Sequence, residues 1–278
     1  MTILLFTAIL FLGALMAGLL GSLTGLGGGV VLIPLLTLLF KVDIHYAIGT
    51  SLISVIATSS GAAAAYVKEG ITNIRLGMFL ELATTAGAIA GAFLSTYLPT
   101  SFIAILFGII LILSAIMSFM KLKDPDDTGS PGLLSRVLKL NGSYPTPAGK
   151  LSYTVRNVVG GFLMMNVAGI ISGLLGIGSG ALKVIAMDNV MRIPFKVSTT
   201  TSNFMIGVTA AASVGIYLKR GYIDPGLSMP VVLGVLLGAF IGSKILTTTS
   251  TARLKILFAV VVFFLALEMI YNGYTHKI

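Results

Sequence analysis

Gly25-Leu26-Gly27-Gly28-Gly29 and Gly176-Ile177-Gly178-Ser179-Gly180 are the two stretches on which the fold of this chain turns. Each follows a long apolar segment, Ile3–Thr24 or Thr154–Leu175. Each precedes a short one, Val30–Phe40 or Ala181–Met191. A transmembrane helix needs about 20 mostly apolar residues, and the long segments reach that length. Eleven helical residues rise about 16 Å, roughly half the hydrocarbon core. The short segments therefore read as half-helices, interrupted at the glycines. Backbone opened in this way is tolerated in a membrane only against protein or a water-filled cavity.

Beyond each half-helix lie three more full-length segments. They are Ala47–Val67, Leu76–Leu98 and Ser101–Met120 in the first half, and Ser198–Leu218, Leu227–Leu246 and Leu254–Tyr274 in the second. The joins Lys68–Arg75 and Pro99-Thr100 are short, so neighbouring segments form antiparallel hairpins. A constant shift of 151 carries Ala17-Gly18 onto Ala168-Gly169, and Gly25, Gly27 and Gly29 onto Gly176, Gly178 and Gly180. It also carries Thr50-Ser51 onto Thr201-Ser202, Thr58 onto Thr209, and Tyr66, Lys68 and Gly70 onto Tyr217, Lys219 and Gly221. Gly87, Ala88 and Gly91 fall on Gly238, Ala239 and Gly242. The expected fold is an all-α polytopic membrane protein made of two tandem repeats. Each repeat has about four transmembrane helices plus one short glycine-interrupted half-helix. Residues 1–121 form the first repeat, 122–150 a polar, cytoplasmic linker, and 151–278 the second repeat. Duplicated halves with broken helices are a transporter signature.

Composition agrees. Hydrophobic residues make up 56% of the 278 positions and charged residues 10%, against roughly 25% charged in an ordinary soluble domain. A soluble enzyme, a disordered chain and a collagen-like fibre are excluded. The net charge of +9 lies in loops between apolar segments, so it reads as a positive-inside signal and not as a nucleic-acid footprint. Ile3–Thr24 reads as a span and not as a leader, because it lacks a basic region before it and its apolar run is too long. Tyrosines, among them Tyr97, Tyr153, Tyr222, Tyr271 and Tyr274, mark the segment ends as an interfacial belt. In the linker, Ser130-Pro131 reads as a helix start, and Leu133, Leu134, Val137, Leu138 and Leu140 suit a short amphipathic helix on the membrane surface or a linker clear of it.

The short segments leave two topologies. If each is re-entrant, the halves are parallel and both termini lie inside, with eleven basic residues inside against five outside. If each adds a fifth crossing, the halves are inverted and both termini lie outside, with twelve against four. Both counts leave out Lys183 and Lys244 as intramembrane. The length of the segments favours the re-entrant version.

Candidate chemistry clusters at the breaks. A lone GxGxG without a preceding strand is not a dinucleotide site. The start of each half-helix instead offers free N–H groups and partial positive charge to an anion. That makes Gly27, Gly28, Gly29, Gly178, Ser179 and Gly180 candidate substrate residues. Thr50 and Ser51, with Thr201, Ser202 and Asn203, stand at corresponding helix starts, where they can cap the helix or bind an oxyanion. Ser54, Thr58, Ser59 and Ser60 continue the first set, or serve close packing. Ionisable residues within spans are functional candidates by default. Lys183 follows the second glycine run, whereas its counterpart Leu32 is apolar. A buried cation there favours an anionic substrate, and Asp188 and Asn189 are candidate partners for it. Glu81 is placed to snorkel, to pair, or to carry a coupling proton. His45 and His276 read as interfacial polar residues. The chain has no cysteine, so it has no thiolate metal site, and no metal or prosthetic group is implied.

The run Gly25 to Gly29 with Pro34, then Ala47-Ile48-Gly49-Thr50-Ser51-Leu52, then Gly87 to Gly91, resembles the sulfite exporter TauE/SafE family, also called the toluene-sulfonate uptake permease family. Gly173 to Gly180 with Thr200-Thr201-Ser202-Asn203 is similar to that family's second repeat. The resemblance covers nearly the whole chain except the linker. It implies a multi-pass inner-membrane transporter with about eight helices, moving sulfite, sulfoacetate, other organosulfonates or related small anions. Direction does not carry over, because the family holds exporters and uptake systems. Expected partners are the lipid bilayer, a small anionic substrate and a coupling proton or sodium ion, with no nucleic acid. Glycine-rich helix faces would serve internal packing or a homodimer contact. An anion channel would share the same half-helices. An intramembrane enzyme would need a paired acid and base or a metal cluster, which two distant histidines and few carboxylates do not supply.

Overall fold

The computed structural model describes residues 3–24, 28–68, 70–119, 132–146, 149–246 and 251–277. The first half contains α1 (Ile3–Thr24), a short α2 (Gly29–Pro34) that widens into a π-helical stretch (Leu35–Leu39), α3 (Ile44–Lys68), α4 (Ile74–Ser95) and α5 (Thr100–Phe119). The second contains α7 (Val158–Leu175), α8 (Gly180–Ile185) with its own π stretch (Ala186–Val190), α9 (Phe195–Lys219), α10 (Pro225–Leu246) and α11 (Thr251–Tyr274). The offset of 151 that relates the motifs also relates the bounds of α2 to α8, of the two π stretches, of α3 to α9 and of α4 to α10. Pro34 precedes the first π stretch, but Ile185 holds that place in the second, so proline alone does not cause the widening.

Polar side chains close the helix starts where chain direction changes. Asn73 accepts from the Leu76 amide at 3.0 Å and Asn157 from the Gly160 amide at 3.3 Å. Asp224 accepts from the Leu227 amide at 2.9 Å. Each satisfies an N–H that the helix leaves unbonded. Among the described residues α1, α4, α7, α9 and α10 are long and apolar enough to cross a membrane, with shorter apolar runs in α2, α5 and α11.

Between the halves, the chain forms a short helix α6 (Leu133–Val137) and an antiparallel hairpin, β1 (Gly142–Thr146) with β2 (Gly149–Tyr153), in the register Gly142↔Tyr153 to Thr146↔Gly149. Ser130-Pro131 lies outside the described residues, and α6 is capped by Gly132. Tyr153 sits in the hairpin and not at a helix end. The hairpin docks on the α3–α4 turn: the Asn73 side-chain Nδ2 donates to the Leu140 carbonyl at 2.9 Å and to the Tyr153 hydroxyl at 2.8 Å. Burial pushes the Tyr153 hydroxyl pKa up to about 12, so it stays protonated there.

The two halves interlock. α1 packs chiefly against α10, and α4 against α7, with α3 against α9 and α5 against α11. At the α4–α7 crossing Gly87 and Gly91 face Gly169 and Gly173. A Cβ on any of the four would overlap a backbone carbonyl of the other helix. Gly18, Gly234 and Gly238 do the same between α1 and α10. Small residues four apart let membrane helices approach to backbone contact.

The packing also sets direction, and it overturns the re-entrant topology. Gly169 meets Thr84 and Gly173 meets Ala88, so α4 and α7 run parallel. Gly234 meets Phe11 and Gly238 meets Leu15, so α1 and α10 also run parallel. Gly49 meets Tyr222 and Gly207 meets Ser59, so α3 and α9 are antiparallel. With hairpin connections from α3 to α4 and from α9 to α10, α1 and α3 must point the same way, as must α7 and α9. The short segments therefore return the chain across the layer, and the two halves are inverted. Half-helix length misleads because the glycine break itself descends. Ser179 is level with Ala168, to which its hydroxyl donates at 2.7 Å, about 10 Å back down α7 from Leu175. α8 and its π stretch cover the rest, and the backbone N–H of Arg156, just before α7, donates to the Met191 carbonyl at 3.0 Å. In this inverted arrangement a linker on the inside would put both termini outside, with basic residues divided twelve to four.

Candidate functional site

The two glycine breaks meet at the centre of the molecule. Gly25 to Gly27 lie outside the described residues. Gly28 precedes α2, and Gly29 is its first, buried residue. A Cβ on Gly29 would lie 2.5 Å from the Ser51 hydroxyl and 3.2 Å from the Gly176 carbonyl. Ser51 on α3 donates to that carbonyl at 2.9 Å. Ser202, its counterpart on α9, donates to the Gly180 carbonyl at 3.2 Å. Gly176 (φ 67°), Gly178 (φ 72°) and Ser179 (φ 45°) take the left-handed conformation that turns the chain. The Ser51 hydroxyl thus bonds the Gly176 carbonyl at the end of α7, while Ser179 and Ser202 tie the break to α7 and α9.

The threonines tie the same helices to their neighbours. Thr50 and Ser228 hydroxyls lie 3.3 Å apart, joining α3 to α10. Thr201 accepts from the Asn73 amide at 3.1 Å, joining α9 to the start of α4. Asn203 is half-buried on α9. Ser54, Thr58, Ser59 and Ser60 each donate to a carbonyl one turn earlier in α3, which leaves them in the helix's own bonding and small enough for close packing.

Lys183 is fully buried, the only charged side chain with no exposure among the described residues. Its ammonium donates to the Thr209 hydroxyl on α9. Thr209 in turn donates to Glu81 Oε1 on α4 at 2.7 Å, and Thr85 donates to the same oxygen at 3.2 Å. Glu81 is 6% exposed, so it does not snorkel. A cation and an anion are thus linked inside the protein through one hydroxyl. The equivalent positions in the other half are Leu32, Thr58 and Val232, which carry no charge. The sequence marks Lys183 and Glu81 separately, but Thr209 enters only as a repeat match. Nothing in its spacing shows that it joins them.

A second polar cluster closes the far end of α3, α4 and α9. His45 contacts Asp43 at 3.2 Å and the Ser95 carbonyl at 3.1 Å, and its ring stacks on Tyr222 at 4.9 Å. The Tyr217 hydroxyl reaches Ser95 Oγ at 2.8 Å and the Gly173 carbonyl at 3.0 Å. A hydrogen bond from the His45 side chain holds the Asp43 carboxyl below the usual carboxylate range. The Ser101 hydroxyl lies 2.9 Å from His276 Nδ1, joining α5 to the end of α11.

Comparison with known proteins places this architecture. Residues 10–269 match the model of a family described as sulfite exporter TauE/SafE. The chain is 29% identical over 276 residues to the probable membrane transporter protein YunE of Bacillus subtilis (strain 168), covering 96% of this chain and 98% of that one. It is 30% identical over 237 residues to the probable membrane transporter protein YdhB of the same organism, covering 85% and 87%. The probable membrane transporter protein MJ0441 of Methanocaldococcus jannaschii is 23% identical over 287 residues, covering 96% of each chain. No solved structure matches. With a family match over nearly its whole length and a helical architecture able to span a bilayer many times, this chain is a multi-pass membrane protein that belongs to the sulfite exporter TauE/SafE family of membrane transporters.

Proposed function

We propose that the protein is a secondary carrier of small anions, sulfite or organosulfonates of the sulfoacetate type, working by alternating access around the meeting point of the two broken helices. The observation that carries this reading is Lys183, a cation with no exposure, one turn into the half-helix that follows the second glycine run. A charge so placed is costly unless it has a counter-charge; Glu81, through Thr209, supplies one in the empty protein, and a bound anion would take its place. Gly178, Ser179 and Gly180 would present backbone to the anion, as would Gly28 and Gly29 from the other side. Ser51 and Ser202 would brace the breaks, with Thr50, Thr201 and Asn203 holding their helices in place. Because α1 grips α10 and α4 grips α7, the bodies that rock are not the two halves of the sequence. Each moving body would combine helices from both.

The test is uptake of labelled sulfite into proteoliposomes of the purified protein, competed with sulfoacetate, taurine, sulfate and acetate. Saturable uptake, blocked by sulfonates and lost in Lys183→Ala that remains folded, supports the reading. Full activity in that variant removes Lys183 from the site. Counterflow separates a carrier from an open channel, because only a carrier gives a transient overshoot of labelled substrate.

A further inference from the structure

We propose that Glu81, Thr209 and Lys183 form a proton-coupling element: a proton arriving on Glu81 frees Lys183 to hold the transported anion, so one proton moves with each monovalent anion. This rests on the carrier reading above and adds to it the coupling ion and the stoichiometry.

The geometry gives the linking hydroxyl a partner in both states. Thr209 has a single hydroxyl proton and two acceptors within reach, Glu81 Oε1 at 2.7 Å and the Met205 carbonyl at 2.9 Å. With Glu81 ionised, the hydroxyl faces the carboxylate. With Glu81 protonated, it can turn to the Met205 carbonyl without leaving a donor unbonded. Glu81 is asymmetric in the same sense. Oε1 accepts from Thr85 and Thr209, while Oε2 has no hydrogen-bond partner among the described residues. A proton can settle on Oε2 without breaking an existing bond.

The charges then count simply. Empty, the element holds one carboxylate and one ammonium and is neutral. An anion alone would leave a net negative charge in the protein interior, which is costly. An anion entering with a proton on Glu81 leaves one ammonium and one anion, again neutral. The neighbouring ionisable groups are few: on α4 itself Arg75 lies six residues, about 9 Å along the helix, before Glu81. α7, packed along α4, carries no ionisable side chain. On α9, Lys196 and Lys219 lie 13 and 10 residues from Thr209, about 20 and 15 Å along the helix. Asp188 is buried in the π stretch five residues beyond Lys183 and is itself engaged in the protein interior. The other half has Leu32, Thr58 and Val232 at the matching places, so the chain holds one such element and moves one proton per cycle.

The experiment uses ethanesulfonate, a strong-acid anion whose own charge does not change with pH. In proteoliposomes of the full chain, an acid-outside gradient should drive its accumulation. Without a gradient, its influx should acidify a lumen loaded with a pH-sensitive dye, one proton per anion. In detergent, its apparent affinity should weaken as pH rises, by up to about tenfold per pH unit, the limit for one linked proton. Glu81→Gln should bind ethanesulfonate with no pH dependence, should not respond to the gradient, and should gain thermal stability from the anion at about pH 8, where the wild type gains little. Binding that is present but independent of pH in the wild type overturns the coupling and leaves the carrier reading standing. So does influx without lumen acidification, or gradient-driven accumulation by Glu81→Gln. Absence of both binding and flux in the folded wild type overturns the sulfonate reading, and the inference falls with it.

Discussion

Replacing Lys183 with Met removes the positive end of a buried charge pair and leaves Glu81 where water cannot solvate it. Lys183 has no exposure and Glu81 is 6% exposed, so neither charge can relax into solvent without moving a helix. Breaking a buried pair by removing one partner costs about 3–5 kcal/mol, because the remaining charge stays buried and uncompensated. Glu81→Met should cost a similar amount by stranding the ammonium. Replacing both by Met, which keeps the volume and removes both charges, should return stability to within about 1 kcal/mol of the wild type. Reversible unfolding in mixed detergent micelles reads all four proteins. The Lys183→Met loss should also shrink as pH falls, since the folded variant then takes up a proton that the unfolded chain does not hold as tightly. The reasoning is refuted if the double variant loses about the sum of the two single losses. That would mean the two charges are satisfied independently and Thr209 does not couple them.

Three further outcomes follow from the packing and the topology. Gly91→Ala places a methyl on the Ile170 carbonyl and should destabilise by about 1–3 kcal/mol; Gly215→Ala, where a Cβ meets nothing within 4 Å, should be neutral or stabilise by up to about 1 kcal/mol, and equal effects in the same unfolding assay would count against the close α4–α7 crossing. The chain has no cysteine, so single cysteines report sidedness cleanly: Lys277→Cys should react with an impermeant maleimide on intact cells, and Leu151→Cys only after permeabilisation, with the reverse pattern contradicting the placement of the linker. Asp43 has its pKa lowered by His45, so its stabilising contribution is full above the ordinary carboxylate value of 3.8 and is lost as pH falls through the lowered one; acid unfolding should therefore be shallower below about pH 4 in Asp43→Asn, and an unchanged acid profile would show that the His45 contact contributes nothing.

The helices were legible because apolar length is nearly sufficient to identify a span, and the glycine breaks because matched interruptions at one constant offset have few other readings. The direction of the short segments was not legible from length. Ala181–Met191 is too short to cross, but crossing is shared between the half-helix and the descending glycine turn, as the contacts of Ser179 with Ala168 and of the Arg156 backbone with Met191 show. The hydroxyls at Thr50, Ser51, Thr201 and Ser202 were readable as polar groups at matched helix starts, but their partners belong to other elements. The Lys183–Thr209–Glu81 link joins three elements separated by 26 and 128 residues, and no periodicity encodes such a contact. The hairpin was missed because Tyr144-Pro145-Thr146 ahead of Gly149 reads as turn material, and proline is tolerated there only because the strand is an edge.

The crossed pairing of α1 with α10 has a consequence for how the protein is made. Gly18 must wait for Val235, 217 residues further along the chain. At ribosomal rates of about 5–20 residues per second, that wait is roughly 10–40 s. During it, the first helix sits in the bilayer with its glycine groove filled by lipid or by another protein. α4 is relieved sooner, because α7 follows it closely. The order of synthesis therefore favours completing the α4–α7 contact first and closing the α1–α10 contact last, and chains cut short before α10 would present that open groove to the cell's membrane quality control.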